Sequence, residues 1–364
     1  MTKSIIFVLL GISFTPFCGA QKPKTTNAQV QELSAAGGLQ SAINSIVQKQ
    51  ETPAWIGYRI PTLTKERTMC CFDSTNQLGN NGSKCCMGCK LESNGGGSFE
   101  GSVSDCAPPE PLRYAFLFLR VEGKQVQKFR TYSADCALDF ANLPLYWLEN
   151  VSPSQSVALL TNFALTANHE GMEYKKGLPD HAVRAIALHD DPSADQALEK
   201  LIQPGQPEAT REHVAFWLGV ERGKKGVEIL RKYVKDDPND HFREKAIFGF
   251  SQSKEPEALQ ELISIARNDP AAHVRGRAIF WLGQIGGRKE AEQITASIEN
   301  DPETEVKKRA VFALAQMHNG EGVPLLIEVA KTNKNPVVRK EAIRWLGMTN
   351  DPRALDYLEQ ILTK

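Results

Sequence analysis

The chain carries no net charge: 43 lysines and arginines face 43 aspartates and glutamates over 364 residues. Phosphate binding rests on clustered basic side chains, so neutrality argues against nucleic acid as the main partner. After residue 14 no apolar run approaches the roughly 20 residues of a membrane-spanning helix, so no transmembrane segment is expected in the mature chain. No G-x-S-x-G elbow, H-E-x-x-H motif or phosphate-binding glycine loop occurs. That removes the readings such motifs carry, and no cofactor is expected. No cysteine follows Cys136, which confines any thiol chemistry to the N-terminal part.

At the N-terminus, Lys3 precedes an apolar run from Ile5 to Phe14, followed by Cys18-Gly19-Ala20 and polar Gln21-Lys22. This is the layout of a secretory signal, with cleavage after Ala20. Thr15-Pro16-Phe17 is a poor lipobox, which disfavours a lipid-anchored Cys18. Residues 1–20 therefore read as a signal peptide and the product as secreted or periplasmic. Seven cysteines remain: Cys70, Cys71, Cys85, Cys86, Cys89, Cys106 and Cys136. In an oxidising compartment they read as disulfide candidates, with Cys106 and Cys136 a natural pair across a hairpin. Seven is odd, so one thiol has another fate. The Cys86-Met87-Gly88-Cys89 spacing keeps zinc binding or redox chemistry open as the alternative.

Residues 21–35 are polar and aperiodic and read as a flexible leader. Residues 36–168 read as a small disulfide-braced α+β domain. Leu39, Ile43 and Ile46 suggest a helix. Trp55 to Ile60, ending at Pro61, fits a strand. Tyr114–Val121 and Val126–Tyr132 form a hairpin about Glu122-Gly123-Lys124. Leu145–Leu148 is a strand or a buried turn, and Pro153 begins a helix.

From residue 178 the pattern is helical. A basic residue recurs every 32 residues at Arg211, Arg243, Arg275, Lys307 and Arg339. Such a fixed period marks stacked repeats. Six helix pairs follow. Gln206-Pro207, Asp237-Pro238, Asp269-Pro270, Asp301-Pro302 and Asn335-Pro336 precede the first helices of the second to sixth units, since proline tolerates a helix start. Arg275, Ala278, Ile279 and Leu282 lie on one helix face. A small residue closes each phrase: Ala187, Gly219, Ser251, Gly283, Ala315 and Gly347.

The phrase Val-Arg-x-x-Ala-Ile-x-x-Leu-Gly, preceded by Asp-Pro at Asp269-Pro270 and by Asn-Pro at Asn335-Pro336, resembles HEAT repeats of the short bacterial phycobilisome-lyase type. The resemblance implies an all-α solenoid of about six helix pairs over 178–364. It implies neither lyase activity nor a bilin substrate. Among HEAT-repeat enzymes, the deoxyhypusine hydroxylases bind two irons through His-Glu pairs. Here only His169-Glu170 has that order, and it precedes the array, so this metalloenzyme reading fails on ligand count.

Each repeat column has an expected role. The basic column is expected to be a structural ladder, with the aspartate of Asp-Pro within reach. Phe216, Phe248, Phe280 and Phe312 are expected as core. Arg184 and Arg344 replace them in the end units, as solvent-facing caps require. Trp217, Gly249, Trp281, Ala313 and Trp345 alternate in size, as volume compensation requires. The inner surface is expected from the second helices, with Lys232, Gln260, Gln293 and Glu328 among its exposed residues. The function expected is an exported, non-catalytic scaffold binding a protein or peptide. The rival is cysteine-based redox or metal chemistry upstream, with the array as a docking arm.

Overall fold

Two strands come first, where the sequence suggests an unstructured leader. The computed structural model describes residues 22–63, 89–92, 113–133, 137–165 and 178–363. Strands β1 (Lys24–Thr26) and β2 (Gln29–Ser34) lie inside the stretch read as flexible. Their pairing is through the backbone: β1 runs parallel to β7 (Ala137–Asp139), and β2 parallel to β8 (Pro144–Glu149). Every residue of β2 is exposed, because it is an edge strand. Neither apolar alternation nor burial therefore marks it in the sequence.

The main sheet has the order β2-β8-β3-β5-β6, where β3 is Ala54–Pro61, β5 Tyr114–Glu122 and β6 Gln125–Ser133. Both faces of β5 are buried, which is why Phe116-Leu117-Phe118-Leu119 is a continuous apolar run. One face meets an aromatic cluster of Trp55, Phe116, Phe118, Phe140 and Trp147, beside the short strand β4 (Cys89–Lys90). The other meets helices α1 (Leu39–Val47) and α2 (Pro153–Leu165). Six cysteines (Cys70, Cys71, Cys85, Cys86, Cys106 and Cys136) lie outside the described residues, and of Cys89 only the backbone is described. The expected disulfide bracing therefore has no structural description.

Six helix pairs follow: α3 (Leu178–Leu188) with α4 (Pro192–Leu201), α5 (Glu208–Glu221) with α6 (Gly223–Val234), and α7 (Asp240–Gln252) with α8 (Pro256–Asn268). The last three are α9 (Ala272–Ile285) with α10 (Arg288–Asn300), α11 (Thr304–Ala315) with α12 (Val323–Thr332), and α13 (Pro336–Leu346) with α14 (Pro352–Leu362). One continuous apolar core joins the sheet and α1–α2 to this stack, from Ala35 to Tyr357.

The basic column works between units. Arg243 donates from Nε and Nη2 to the two carboxylate oxygens of Asp269 at 2.9 and 3.0 Å, and from Nη1 to the carbonyl of Asp237 at 2.6 Å. Arg275 repeats this on Asp301 at 2.7 and 3.0 Å, with Asp269 O at 2.9 Å. Arg211 pairs with Asp237 and donates to Ile202 O. Arg243 and Arg275 thus each hold a carbonyl at the start of their own unit and the aspartate of the next, while Arg211 holds the next unit's aspartate and the carbonyl that ends α4 of the preceding unit. The aspartates also close the turn before each first helix, accepting from Asn239, Ala271 and Glu303 N–H at 2.9 Å. Both partners are buried, and hydrogen bonding to the carboxylate raises the guanidinium pKa of Arg243 and Arg275. In the next rung Asn333 stands in this column, rather than Asn335. It keeps the turn, accepting from Asn335 N–H at 3.0 Å, but carries no charge. Lys307 opposite it donates to Glu299 O instead, at 2.8 Å.

The first helices pack on one another far more extensively than the second helices do. A methyl group on Gly219 would lie 1.9 Å from the carbonyl oxygen of Gly249, so α5 and α7 meet backbone to backbone. In a bent stack the more closely spaced layer is on the inside. The inner surface is therefore built by α5, α7, α9, α11 and α13, which corrects the expectation that the second helices line it. Lys232, Gln260 and Glu328 are exposed and Gln293 half-buried, all on the outer layer.

Arg184 also departs from expectation. It is buried, not solvent-facing, because the first unit packs against α2 and β6. The α+β domain is the N-terminal cap of the stack. Its joint is a buried polar chain. The Tyr58 hydroxyl (β3) lies 3.0 Å from Ser156 Oγ (α2), which lies 2.9 Å from His189 Nε2 after α3. His189 Nδ1–H donates to Ala185 O at 2.6 Å, which leaves Nε2 to accept from Ser156. Arg222, itself buried, donates to the carbonyls of Ala187 and His189.

Two outcomes follow from this packing. Asp269→Ala leaves the Arg243 guanidinium buried without its carboxylate, at a cost of about 3–5 kcal/mol. Lys307→Ala, on a rung without a carboxylate, costs under about 1 kcal/mol. Urea midpoints of the two variants measure the difference. Burial lowers the His189 pKa to about 4. In the unfolded chain the same imidazole titrates near 6.5. Between these values the unfolded state binds the extra proton, so stability is full above about pH 6.5 and falls toward pH 4, by about 3 kcal/mol in all. The stability difference between wild type and His189→Gln, followed across that range by urea unfolding, should shrink as pH falls.

Candidate functional site

The inner face is striped lengthwise by its repeat columns. Phe216, Phe248, Phe280 and Phe312 occupy one column of the first helices, and all four are half-buried rather than core. Their inner sides pack against each other. Phe216 stacks on Phe248 with ring centres 5.3 Å apart, and Phe280 on Phe312 at 6.2 Å. Trp281 joins the two pairs, stacked on Phe248 at 4.7 Å and edge-on to Phe280 at 5.1 Å. Trp217 meets Phe216 at 4.9 Å, and Trp345 meets Phe312 at 4.8 Å. Seven rings thus form one unbroken ridge from α5 to α13. Arginines close both ends, Arg184 over Trp217 at 5.4 Å and Arg344 over Trp345 at 5.2 Å.

The tryptophan and phenylalanine columns were read from the sequence as separate core features. The structure brings them together because adjacent positions of one helix interleave with those of the next unit. The alternation Trp, Gly, Trp, Ala, Trp lets each indole of α9 and α13 reach the phenylalanine of the preceding unit. Contact across units is not visible in a single-unit helix phase.

One flank of the ridge is charged and internally paired. Asp180 contacts His213 Nδ1, and Glu208 contacts His241 Nδ1. Asp240 lies 3.6 Å from His273 Nε2, and Glu244 accepts from Arg277 at 2.6 Å. Each acidic group is met by a base from the following unit. Hydrogen bonding to Asp180 raises the His213 pKa, and hydrogen bonding to Glu208 raises that of His241. Glu208, Glu212 and His241 place three ligand-type atoms within 4.8 Å of one another. Two of the three residues are exposed and nothing buried converges on them, so the cluster carries no metal assignment.

The other flank carries a column of glutamines. Gln252, Gln284 and Gln316 follow Phe248, Phe280 and Phe312 by four residues, one helical turn on the same face. Among the described residues, nothing hydrogen-bonds the side-chain amides of Gln284 and Gln316. The glutamine column was missed in the sequence, although its 32-residue spacing was there to find. Two clefts among the described residues are small. Clefts of about 220 Å³ beside Arg243 and Asp269 and about 340 Å³ beside Met317 and Leu325 fall at or below the low end of the roughly 300–1,000 Å³ typical of ligand pockets. Among the described residues no helix is long and apolar enough to cross a membrane.

The histidine flank is testable by titration. His213 and His241 should titrate above the roughly 6.5 of a free imidazole, so their links are complete below that pH and loosen as pH rises through the raised values. Asp180→Asn should return His213 toward about 6.5 and leave His241 unchanged, as read by imidazole proton NMR.

The comparisons with known proteins bear on the array. The family model of HEAT repeats matches residues 196–283 and 291–364. No curated protein matches the sequence. Solved structures resemble it distantly. Human deoxyhypusine hydroxylase in complex with glycerol is 15% identical, with 57% of this chain and 89% of that one covered and a TM-score of 0.27. The complex of CpcE and CpcF of phycocyanin lyase from Nostoc sp. is 22% identical, with 43% and 99% covered and a TM-score of 0.32. Lipovitellin is 11% identical, with 65% and 35% covered and a TM-score of 0.34. With the family match lying on the helix pairs described above, the C-terminal half of the chain is a HEAT-repeat array.

Proposed function

We propose that the chain is an exported, non-catalytic scaffold that receives a protein or peptide partner on the inner face of its array. HEAT repeats support an interaction role in general. The observation that carries this reading is the seven-ring ridge. Half-buried aromatic side chains in a continuous row leave apolar surface facing water, and such patches mark interaction sites. Tryptophans are favoured where binding energy concentrates. Export rests on the N-terminal segment, Lys3 followed by Ile5–Phe14 and Cys18-Gly19-Ala20.

The test is affinity capture from the native envelope with the full mature chain, followed by quantitation of the captured partner. The double variant Phe280→Ala, Trp281→Ala should lose at least about tenfold in affinity, the scale of a hot-spot truncation. An outer-layer variant, Lys232→Ala with Gln260→Ala, should retain it. Loss through the outer variant, with the ridge variant unaffected, would put the binding surface on the second helices and refute the proposal.

A further inference from the structure

We infer that the outer face of the last helix pair, α13 with α14, binds a second copy of this chain. The two copies meet end to end about a twofold axis, with α13 of each over α14 of the other. This face lies apart from the inner-face ridge and does not depend on what the ridge binds.

The end units of a stack normally present a polar outer side. At the N-terminal end, α2 and β6 pack on α3. The C-terminal end shows water the side chains that other units bury. Leu362 is 84% exposed, whereas Val234, Ala266, Ile298 and Ala330 of its column are buried. Leu355 is 53% exposed, whereas Val227, Ala291 and Val323 are buried and Leu259 is half-buried. Ile343 is half-buried, whereas Ala215, Ile247, Ile279 and Val311 are buried completely. This apolar strip continues the helix-to-helix interface of the stack, so it suits another helix pair of the same kind.

The charges of the face select which pair. Arg339 donates to the carbonyls of Asn333 at 2.8 Å and Lys334 at 3.2 Å, its own unit's side of the rung. Among the described residues no carboxylate meets it, whereas Arg243 and Arg275 meet Asp269 and Asp301. Lys340 beside it is exposed. It continues the column of Gly276, against which Arg309 of the next unit lies. Glu359 on α14 is exposed too. It continues the column of Arg231, which reaches Glu261 of the next unit at 2.7 Å. The face is therefore basic along α13, acidic along α14 and apolar between.

The hairpin sets the levels. A short connection, 347–351, makes the two helices antiparallel neighbours. Arg339 and Lys340, near the start of α13, then stand level with Glu359, near the end of α14. Ile343 stands level with Leu355, further along by about 5 Å at 1.5 Å per residue. A twofold axis parallel to the helices keeps these levels and exchanges the helices. It brings Arg339 and Lys340 of each copy over Glu359 of the other, and Ile343 over Leu355. An axis across the helices would set the basic helix on the basic one and the acidic on the acidic. The first arrangement is self-complementary, as a twofold contact must be. Two helices of 11 residues present a face of about 16 by 20 Å. That is small for an interface, so the dimer is reversible, with a Kd in the micromolar range.

The experiment is sedimentation velocity on the full mature chain from about 1 to 200 μM, a range that brackets such a contact. The weight-average mass should rise toward a dimer. Leu355→Ser with Leu362→Ser should weaken association by about tenfold or more. Its circular dichroism melt, taken where the wild type is monomeric, should be unchanged. Leu362→Ser alone, at the more exposed position, should weaken association in the same direction and serves if the double variant melts lower. Glu359→Lys and Lys340→Glu should each weaken it by about threefold or more, and the two combined should restore it. Val30→Ser with Leu33→Ser, on the exposed edge strand β2, should leave it unchanged. A monomer across the whole range overturns the inference, as does association indifferent to the leucine variants or lost through the β2 variant. So does a charge swap that restores nothing, or a dimer that runs as a covalent band on a non-reducing gel.

Discussion

Everything on the inner face depends on one buried contact, the arginine of one unit held by the aspartate of the next. A guanidinium offers five donors in a fixed plane. In Arg243 and Arg275 two meet the next unit's carboxylate and a third meets the turn of their own unit. Such a pair adds little against an apolar replacement of equal volume, but either partner left alone is expensive. It therefore acts less as glue than as a register device. It fixes which turn of one helix faces which turn of the next, since any slip strands a buried charge.

With that register set, the small residues can do their part. Gly219 meets the Gly249 carbonyl only because the rung holds α5 and α7 at a constant offset. The close layer becomes the inner layer, and its solvent-facing columns line up across units. A phenylalanine at one place in a helix becomes a row of four, and a glutamine a row of three. The final rung, where Lys307 and Asn333 replace Arg and Asp, keeps the turn but not the ion pair. The clamp is thus weaker toward the C-terminal end.

The helix pairs, their number and the period were legible, because a 32-residue repeat registers the same local physics six times. The strands of the N-terminal domain were legible where they are buried, as in Tyr114–Val121, and illegible in Gln29–Ser34, an edge strand with every side chain in water. Direction of curvature was misread. Periodicity shows which face of a helix is apolar, but not which layer packs closer, and that was decided by a glycine meeting a glycine in another unit. Arg184 was misread for a related reason. Its column predicts an exposed end, and only the fold shows that α2 and β6 cover it. The ridge was half legible. Its columns were seen, yet their exposure and their stacking across units are properties of the stack and not of any one helix.

Stability alone does not account for that ridge. Fully burying a phenylalanine is worth about 1.5–3 kcal/mol, and these four are only half-buried. Part of that gain is forgone at every rung, while the stripes of the second helices, such as Val227, Leu230 and Val234, are buried completely enough to hold the stack. Ring pairs return about 0.5–1.5 kcal/mol each, which explains why the exposed row stays ordered and does not collapse inward. The result is a rigid apolar strip already fixed before any partner arrives. Association loses affinity mainly through side chains and loops that must be ordered on contact. A row of rings locked to one another and clamped at each end by an arginine has little left to order, so a partner that covers it gains most of the area that folding left exposed.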